Sequence, residues 1–239
     1  LLQRRRPLSY SDARAGRTPR WGWLPCNRAP VRSLPVPPVT SVTGGAPRRV
    51  GLFGGTFDPP HIAHLVVAVD VRHRLGLDEV LLVPNGDPWQ KRGTRPITPA
   101  RTRLALVEAA VAGIPGVGVS AVEVDRPGAS YTIDTVEAML ADEPGLDLVL
   151  VVGSDAAHGL TTWERHGDLL ALVTVAVVDR PGASAGIPTI EGARLVPVEV
   201  PALEVSSTDL RHRVAAGAPI DALTPPAVVD LVRDRGLYR

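Results

Sequence analysis

Two short stretches far apart in the chain carry residues suited to holding phosphate. His61 and His64 stand three apart just after Asp58-Pro59-Pro60, and Ser206-Ser207-Thr208 is followed by Arg211. On a helix, positions i and i+3 share a face. Both imidazoles would therefore point the same way near a helix N-terminus, where unpaired N–H groups and the macrodipole favour anions. In the second stretch Ser206 or Ser207 can cap a helix, leaving N–H groups and hydroxyls for a ligand. Arg211, about one turn further on, offers five fixed donors to phosphate oxygens. Each pattern also has an ordinary explanation: a pair of surface histidines, or an N-cap beside a surface arginine. Zinc fits poorly at the histidines, because the one cysteine, Cys26, lies in a different kind of sequence and no third ligand stands nearby.

These residues need elements to aim them. The stretch 49–53 is β-branched and apolar enough for a buried strand, Gly54-Gly55 reads as a sharp turn open to a ligand, and Asp58 with the two prolines reads as a helix start. Further on, the apolar period changes repeatedly. Helices are expected over 63–75 (closed by Gly76), 98–112, 131–140, 164–172, 208–216 and 225–235, the last two stopped by Gly217 and Gly236. Strands are expected over 79–84, 117–124, 147–152, 174–178 and 194–200. Strands alternating with helices imply right-handed crossovers and a doubly wound, mostly parallel α/β sheet, with a small helical part at the C-terminus. Ligands on such sheets bind beyond the strand C-terminal ends, so Gly54-Gly55 and Gly153-Ser154-Asp155 should share one rim.

Composition bounds the rest. A chain of 239 residues with 44% hydrophobic content is long enough for one sizeable core, and no apolar run reaches a membrane span. The net charge of +1 hides an asymmetry: residues 1–49 hold ten Arg and one Asp, a balance of +9, which leaves 16 basic and 24 acidic residues, a balance of −8, in 50–239. Residues 1–47 are proline-rich without helical or alternating period, so they read as a disordered, functionally inert basic extension ahead of a domain at 48–239. A reducing cytoplasm suits the single cysteine.

Gly54-Gly55-Thr56-Phe57-Asp58-Pro59, His61 and His64, together with Ser206-Ser207-Thr208 and Arg211, resemble the nucleotidyltransferases of the H-x-G-H type, and specifically bacterial nicotinate-nucleotide adenylyltransferases. Pro88-Trp89-Gln90-Lys91, Ser130-Tyr131-Thr132, Gly153-Ser154-Asp155, Thr162-Trp163-Glu164, Arg180-Pro181-Gly182 and Gly236-Leu237-Tyr238-Arg239 add to the resemblance. It implies a Rossmann-like fold and adenylyl transfer: the 5′-phosphate of nicotinate mononucleotide attacks the α-phosphate of ATP, giving the dinucleotide and pyrophosphate, with Mg²⁺ on the phosphates. The nucleophile then belongs to the substrate, in keeping with a chain that shows no Ser-His-Asp or Cys-His arrangement.

By the same resemblance His61 and His64 meet the ATP phosphates, and Ser207, Thr208 and Arg211 hold the departing pyrophosphate. Backbone groups of Gly54, Gly55, Thr56 and Phe57 line the nucleotide path, and Gly153 and Asp155 meet the adenosine. Trp163 stacks on the pyridine ring, backbone N–H groups near Thr132-Ile133 and Glu164 receive its carboxylate, and Lys91, beside Trp89, binds the mononucleotide phosphate. One departure stands out: Ala63 occupies the position of the motif glycine, where its methyl would alter KM more than abolish turnover. Pantetheine-phosphate adenylyltransferase and a non-catalytic nucleotide-binding protein are the alternatives. No nucleic-acid or membrane partner is expected, a homo-oligomer is neither required nor excluded, and the choice between acid and amide mononucleotide is open.

Overall fold

A computed structural model describes residues 46–88, 93, 95–179 and 186–239. The expectations for the N-terminal extension up to residue 45, for Trp89 and Lys91, and for Arg180-Pro181-Gly182 fall outside the described residues. Among the described residues six strands form one sheet: β1 (Arg49–Gly55), β2 (Glu79–Pro84), β3 (Val117–Val119), β4 (Asp147–Gly153), β5 (Thr174–Asp179) and β6 (Arg194–Glu199). The spatial order is β3-β2-β1-β4-β5-β6 and every neighbouring pair is parallel. The order reverses between β1 and β4, whose registers run Val50 beside Leu148 and Leu52 beside Leu150. Neighbouring crossovers leave in opposite directions there, opening a crevice at the C-terminal ends of those two strands.

Side chains alternate along a strand, so each strand feeds two cores. In β4, Val149 and Val151 join α1 (Ile62–Leu75), α2 (Ala100–Val111), α7 (Ser207–Ala215) and α8 (Pro226–Asp234) through Leu65, Leu106, Leu210 and Val228. Leu148, Leu150 and Val152 face the other way, onto α4 (Thr132–Asp142), α5 (Ser154–His158) and α6 (His166–Leu172) through Ile133, Ala157 and Leu169. The C-terminal helices are thus part of the first core, docked on the same face as α1 and α2. Glycine ends α1 as expected: Gly76 adopts the left-handed conformation, φ 60°.

Two sequence expectations are corrected. Gly54 and Gly55 are the last residues of β1 and neither has a positive φ; the chain turns over Thr56–Pro60 instead, with Phe57 at φ 48°. Gly55 is needed for close approach, since a Cβ there would lie 2.8 Å from the Phe57 ring, while at Gly54 it would meet nothing, leaving room for a ligand against the backbone. The strand expected over 117–124 stops at Val119 and is followed by the single-turn helix α3 (Val122–Asp125). That turn carries Glu123 inward, where its carboxylate accepts from the Asn85 amide and the Thr135 hydroxyl, both at 3.0 Å. A buried carboxylate needs such donors, and satisfying it outweighs the β propensity of the flanking valines.

Leu82 of β2 is fully buried in the first core. Leu82→Ala is expected to lower stability by about 2–5 kcal/mol, read as a shift in the urea midpoint at unchanged m-value.

Candidate active site

The crevice at the switch point is a cavity of about 340 Å³. Its walls come from the ends of β1 (Phe53, Gly54, Gly55), β2 (Val83) and β4 (Val152, Gly153), with Thr56 just beyond β1. Thr132 at the start of α4 closes one side, with Trp163 and Glu164 from the segment before α6. The first three N–H groups of α4 have no carbonyl to meet inside the helix, and no side chain caps Tyr131 ahead of them. A negative group entering beside Thr132 and Ile133 would find backbone donors there, strengthened by the helix dipole. Ile133 can act only through its backbone, because its side chain is fully buried in the second core. Asp155, exposed on α5, is not among the residues that line the cavity.

A second group of polar residues gathers where the chain leaves the cavity. Asp58, expected as the cap of α1, is not its cap; the N-cap is His61, and Asp58 sits at 1% exposure inside a cluster of donors. The Tyr238 hydroxyl donates to Asp58 Oδ1 at 2.8 Å, and Arg95 Nη1 and the Thr98 N–H donate to Oδ2 at 2.5 and 3.4 Å. Burial, the largest single influence, pushes the Asp58 carboxyl up. The hydrogen bonds from Thr98, Arg95 and Tyr238 and the charge of Arg95 together more than reverse it, so the group is held below its ordinary value of 3.8.

The two motifs singled out in the sequence meet on this loop. Arg211 Nη1 donates to the Asp58 carbonyl at 2.8 Å, Ser207 Oγ donates to the Pro59 carbonyl at 2.8 Å, and Thr224 Oγ1 donates to the Pro60 carbonyl at 2.8 Å. The next residue is His61, whose ring stacks on that of His64 at a centroid distance of 3.7 Å. The backbone N–H of His61 donates to His64 Nδ1 at 3.1 Å, so a neutral His64 ring carries its proton on Nε2 and presents a donor there. Stacking so close disfavours a charge on both rings at once. Phe57 fixes the pair from beside, edge-on to His64 at 4.9 Å, with its own side chain in the core.

The hydroxyls of the second motif are less available than the sequence suggests. Ser206 is the N-cap of α7 and accepts from the Asp209 N–H, Ser207 is spent on Pro59, and Thr208 Oγ1 accepts from Arg211 Nη2 at 3.0 Å. What α7 offers an anion is the Arg211 guanidinium and the amides of its first turn.

Arg103 was not singled out in the sequence, although it stands on the apolar stripe of α2 three and four residues before Leu106 and Val107. At 1% exposure it donates to the carbonyls of Thr98, Thr56 and Asn85 at 2.8, 2.8 and 2.6 Å. It therefore ties the β1 exit to the β2 exit, and so one wall of the cavity to the other. Arg103 and Arg211 each feel the charge of Arg95 and of Asp58, and Arg103 feels Glu123 as well, so several guanidiniums gather around this buried carboxylate.

A parallel sheet in this order, with a donor-rich rim at the switch point, is a Rossmann-like architecture of the nucleotide-binding class. Residues 52–213 match the cytidylyltransferase-like family model. The chain is 45% identical over 190 residues to a protein of Frankia casuarinae named "Probable nicotinate-nucleotide adenylyltransferase", covering 78% of this chain and 98% of that one. A protein of the same name from Mycolicibacterium vanbaalenii is 41% identical over 203 residues, 82% and 94% of the two chains. The fold is shared with the Plasmodium falciparum nicotinic acid mononucleotide adenylyltransferase complexed with NaAD, at a TM-score of 0.63 and 17% identity over 80% of this chain and 97% of that one. The chain belongs to the cytidylyltransferase-like nucleotidyltransferases and, within them, to the nicotinate-nucleotide adenylyltransferase family.

Because the folded Asp58 carboxyl is depressed, its contribution to stability is complete above the unfolded value of 3.8 and is lost as pH falls through the folded one. Asp58→Asn should cost about 3–5 kcal/mol at pH 7, as expected when one partner of a buried ion pair is removed. Denaturant melts at pH 7 and pH 3 should show the gap between the two proteins narrowing on the acid side.

Proposed function

We propose that the protein transfers the adenylyl group of ATP to nicotinate mononucleotide, forming nicotinate adenine dinucleotide and pyrophosphate in NAD biosynthesis. The observation that carries this reading is the docking of Ser207 and Arg211 onto the Asp58–Pro60 carbonyls immediately ahead of the His61–His64 pair. It joins two anion-binding helix ends beside a cavity of the size a pyridine nucleotide needs.

In this chemistry an oxygen of the mononucleotide 5′-phosphate attacks the α-phosphorus of ATP. The bond from that phosphorus to the bridging oxygen breaks, and its electrons leave with pyrophosphate. The protein contributes alignment and charge. His64, with Nδ1 occupied by the His61 N–H, donates through Nε2 to oxygens that gain charge in the transition state, and His61 backs it. Arg211 and the Ser207 and Thr208 amides take the β- and γ-phosphates. Gly54, Gly55 and Thr56 guide the nucleotide along β1, with Gly153 and Asp155 toward the adenosine.

Trp163 stacks on the pyridine ring and the Thr132, Ile133 and Glu164 amides take its carboxylate, so the acid is preferred to the amide. Lys91, with Trp89, binds the mononucleotide phosphate. Mg²⁺ held by the ATP phosphates would neutralise part of their charge, and the protein groups around the loop are hydrogen-bond donors suited to the remaining phosphate oxygens. No helix among the described residues is long and apolar enough to cross a membrane, and the reaction is proposed to run in the cytoplasm. The domain at 48–239 suffices and residues 1–47 are dispensable, in line with a relative matched over 98% of its length by 78% of this chain.

Incubation with ATP, Mg²⁺ and either mononucleotide should give pyrophosphate and dinucleotide, faster with the acid; a folded protein that makes neither contradicts the proposal. His64→Ala should lower kcat by about 10²–10³-fold, the usual effect of removing one donor to a developing charge, with little change in mononucleotide KM. Ala63 is half-buried beside the imidazole pair, and Ala63→Gly should lower the KM for ATP with kcat held within about twofold.

A further inference from the structure

We infer that Tyr238, the penultimate residue, is a positioning residue for phosphate transfer: its hydroxyl fixes the Asp58 loop on which Arg211 is anchored. The inference rests on the adenylyl-transfer reading and goes beyond its binding residues. Tyr238 lies 180 positions from Asp58 in sequence, and its hydroxyl donates to Asp58 Oδ1 at 2.8 Å. The carbonyl of Asp58, on the other side of its Cα, accepts from Arg211 Nη1 at 2.8 Å. One residue thus receives the end of the chain with its side chain and the phosphate-binding arginine with its backbone.

The local chain is shaped for this contact. Gly236 takes φ 60° and Tyr238 φ 64°, a left-handed conformation that a bulky residue adopts only when its surroundings enforce it. Leu237 and the Tyr238 ring pack on the core that also holds Phe57 and Leu210, so the tail is pinned by apolar contact and its hydroxyl has little freedom. Burial, followed by the charge of Asp58, raises the Tyr238 hydroxyl far above its ordinary value of 10, so it stays a donor throughout the working pH range. Arg95 supplies charge to the other carboxylate oxygen, but its side chain is 23% exposed where that of Asp58 is 1% exposed. Tyr238 is the partner of Asp58 that follows α8, and it packs in the first core beside α7, which carries Arg211.

The consequence is a specific energetic coupling. Losing the hydroxyl frees Asp58 to turn, its carbonyl moves with it, and Arg211 loses register with the departing phosphates. Mononucleotide sites on Thr132 and Trp163 lie on other elements and are untouched. Tyr238→Phe keeps the ring and removes only the donor. Its kcat in the forward reaction should fall about 10-fold, and the KM for pyrophosphate in the reverse reaction should rise by a similar factor. The KM for nicotinate mononucleotide should stay within about twofold.

A double-mutant cycle with Arg211→Ala decides the mechanism. If Tyr238 acts through Arg211, the double variant is no slower than Arg211→Ala alone. Wild-type turnover is measured first, so a wild type without activity counts against the adenylyl-transfer reading and not against Tyr238. With an active wild type, unchanged kinetics in Tyr238→Phe, multiplicative losses in the cycle, or an equal rise in both substrates' KM values would each overturn the inference. Should Tyr238→Phe melt more than about 10 °C lower, the cycle is run well below its transition, and the same outcomes apply.

Discussion

A carboxylate that is 1% exposed organises the reactive end of this molecule. An isolated buried Asp would cost several kcal/mol, and the fold meets that cost with the hydroxyl of Tyr238, the guanidinium of Arg95 and the Thr98 amide. These donors come from two distant parts of the chain, the segment holding Arg95 and Thr98 and the segment holding Tyr238. Because they converge on one residue, they restrain the loop from Thr56 to Pro60 and with it the groups that hang from that loop. The imbalance of charge has a use as well. Arg95 and Arg211 both lie in the field of this carboxylate, and positive charge gathered there favours a ligand that brings several negative charges in a small volume.

The sheet supplies the other constraint. A parallel sheet with order 3-2-1-4-5-6 opens at one place only, between β1 and β4, and both strands end there in glycine. At Gly54 and Gly153 an added Cβ would meet nothing in the protein, so the absence of a side chain is not explained by packing. Space kept open at two strand ends on either side of the crevice is what a nucleotide lying across them requires. Gly86 has the opposite reason: a Cβ there would lie 2.1 Å from the Glu123 carbonyl, so this glycine serves the approach of α3 to the β2 exit.

Most of the elements were legible in the sequence, because long apolar periods decide between helix and strand without help from the rest of the fold. The strand over 79–84 and the helix closed by Gly76 are as expected. The failures share a cause, which is that the deciding partner is distant. Val122 and Val124 favour a strand locally, yet Glu123 between them is claimed by Asn85 and Thr135. Asp58 next to two prolines looks like a helix cap, yet its partners lie 37, 40 and 180 residues away. The two motifs that meet on this loop were visible, since their residue types are unusual at those spacings. What could not be read was that the Ser207 and Thr208 hydroxyls are occupied within the protein. Arg103 could have been found, as a cation on the buried stripe of an amphipathic helix demands an explanation.

An enzyme that supplies no nucleophile depends on placement more than most. When two substrates provide the attacking and leaving oxygens, effective concentration and fixed donors account for the rate, and an error near 1 Å in a donor costs orders of magnitude. Flexible side chains are poorly suited to that task unless something restrains them. In this fold the restraint is built from backbone carbonyls: Arg211 on Asp58, Ser207 on Pro59, Thr224 on Pro60, and Arg103 on Thr56 and Asn85. Carbonyls of a loop locked at Asp58 move as one body. The histidine pair follows in the next turn of chain, with His64 Nδ1 held by the backbone of His61. Donors that would otherwise be independent therefore share one support, and that support is held by a buried carboxylate whose two oxygens are taken up by Tyr238, Arg95 and Thr98.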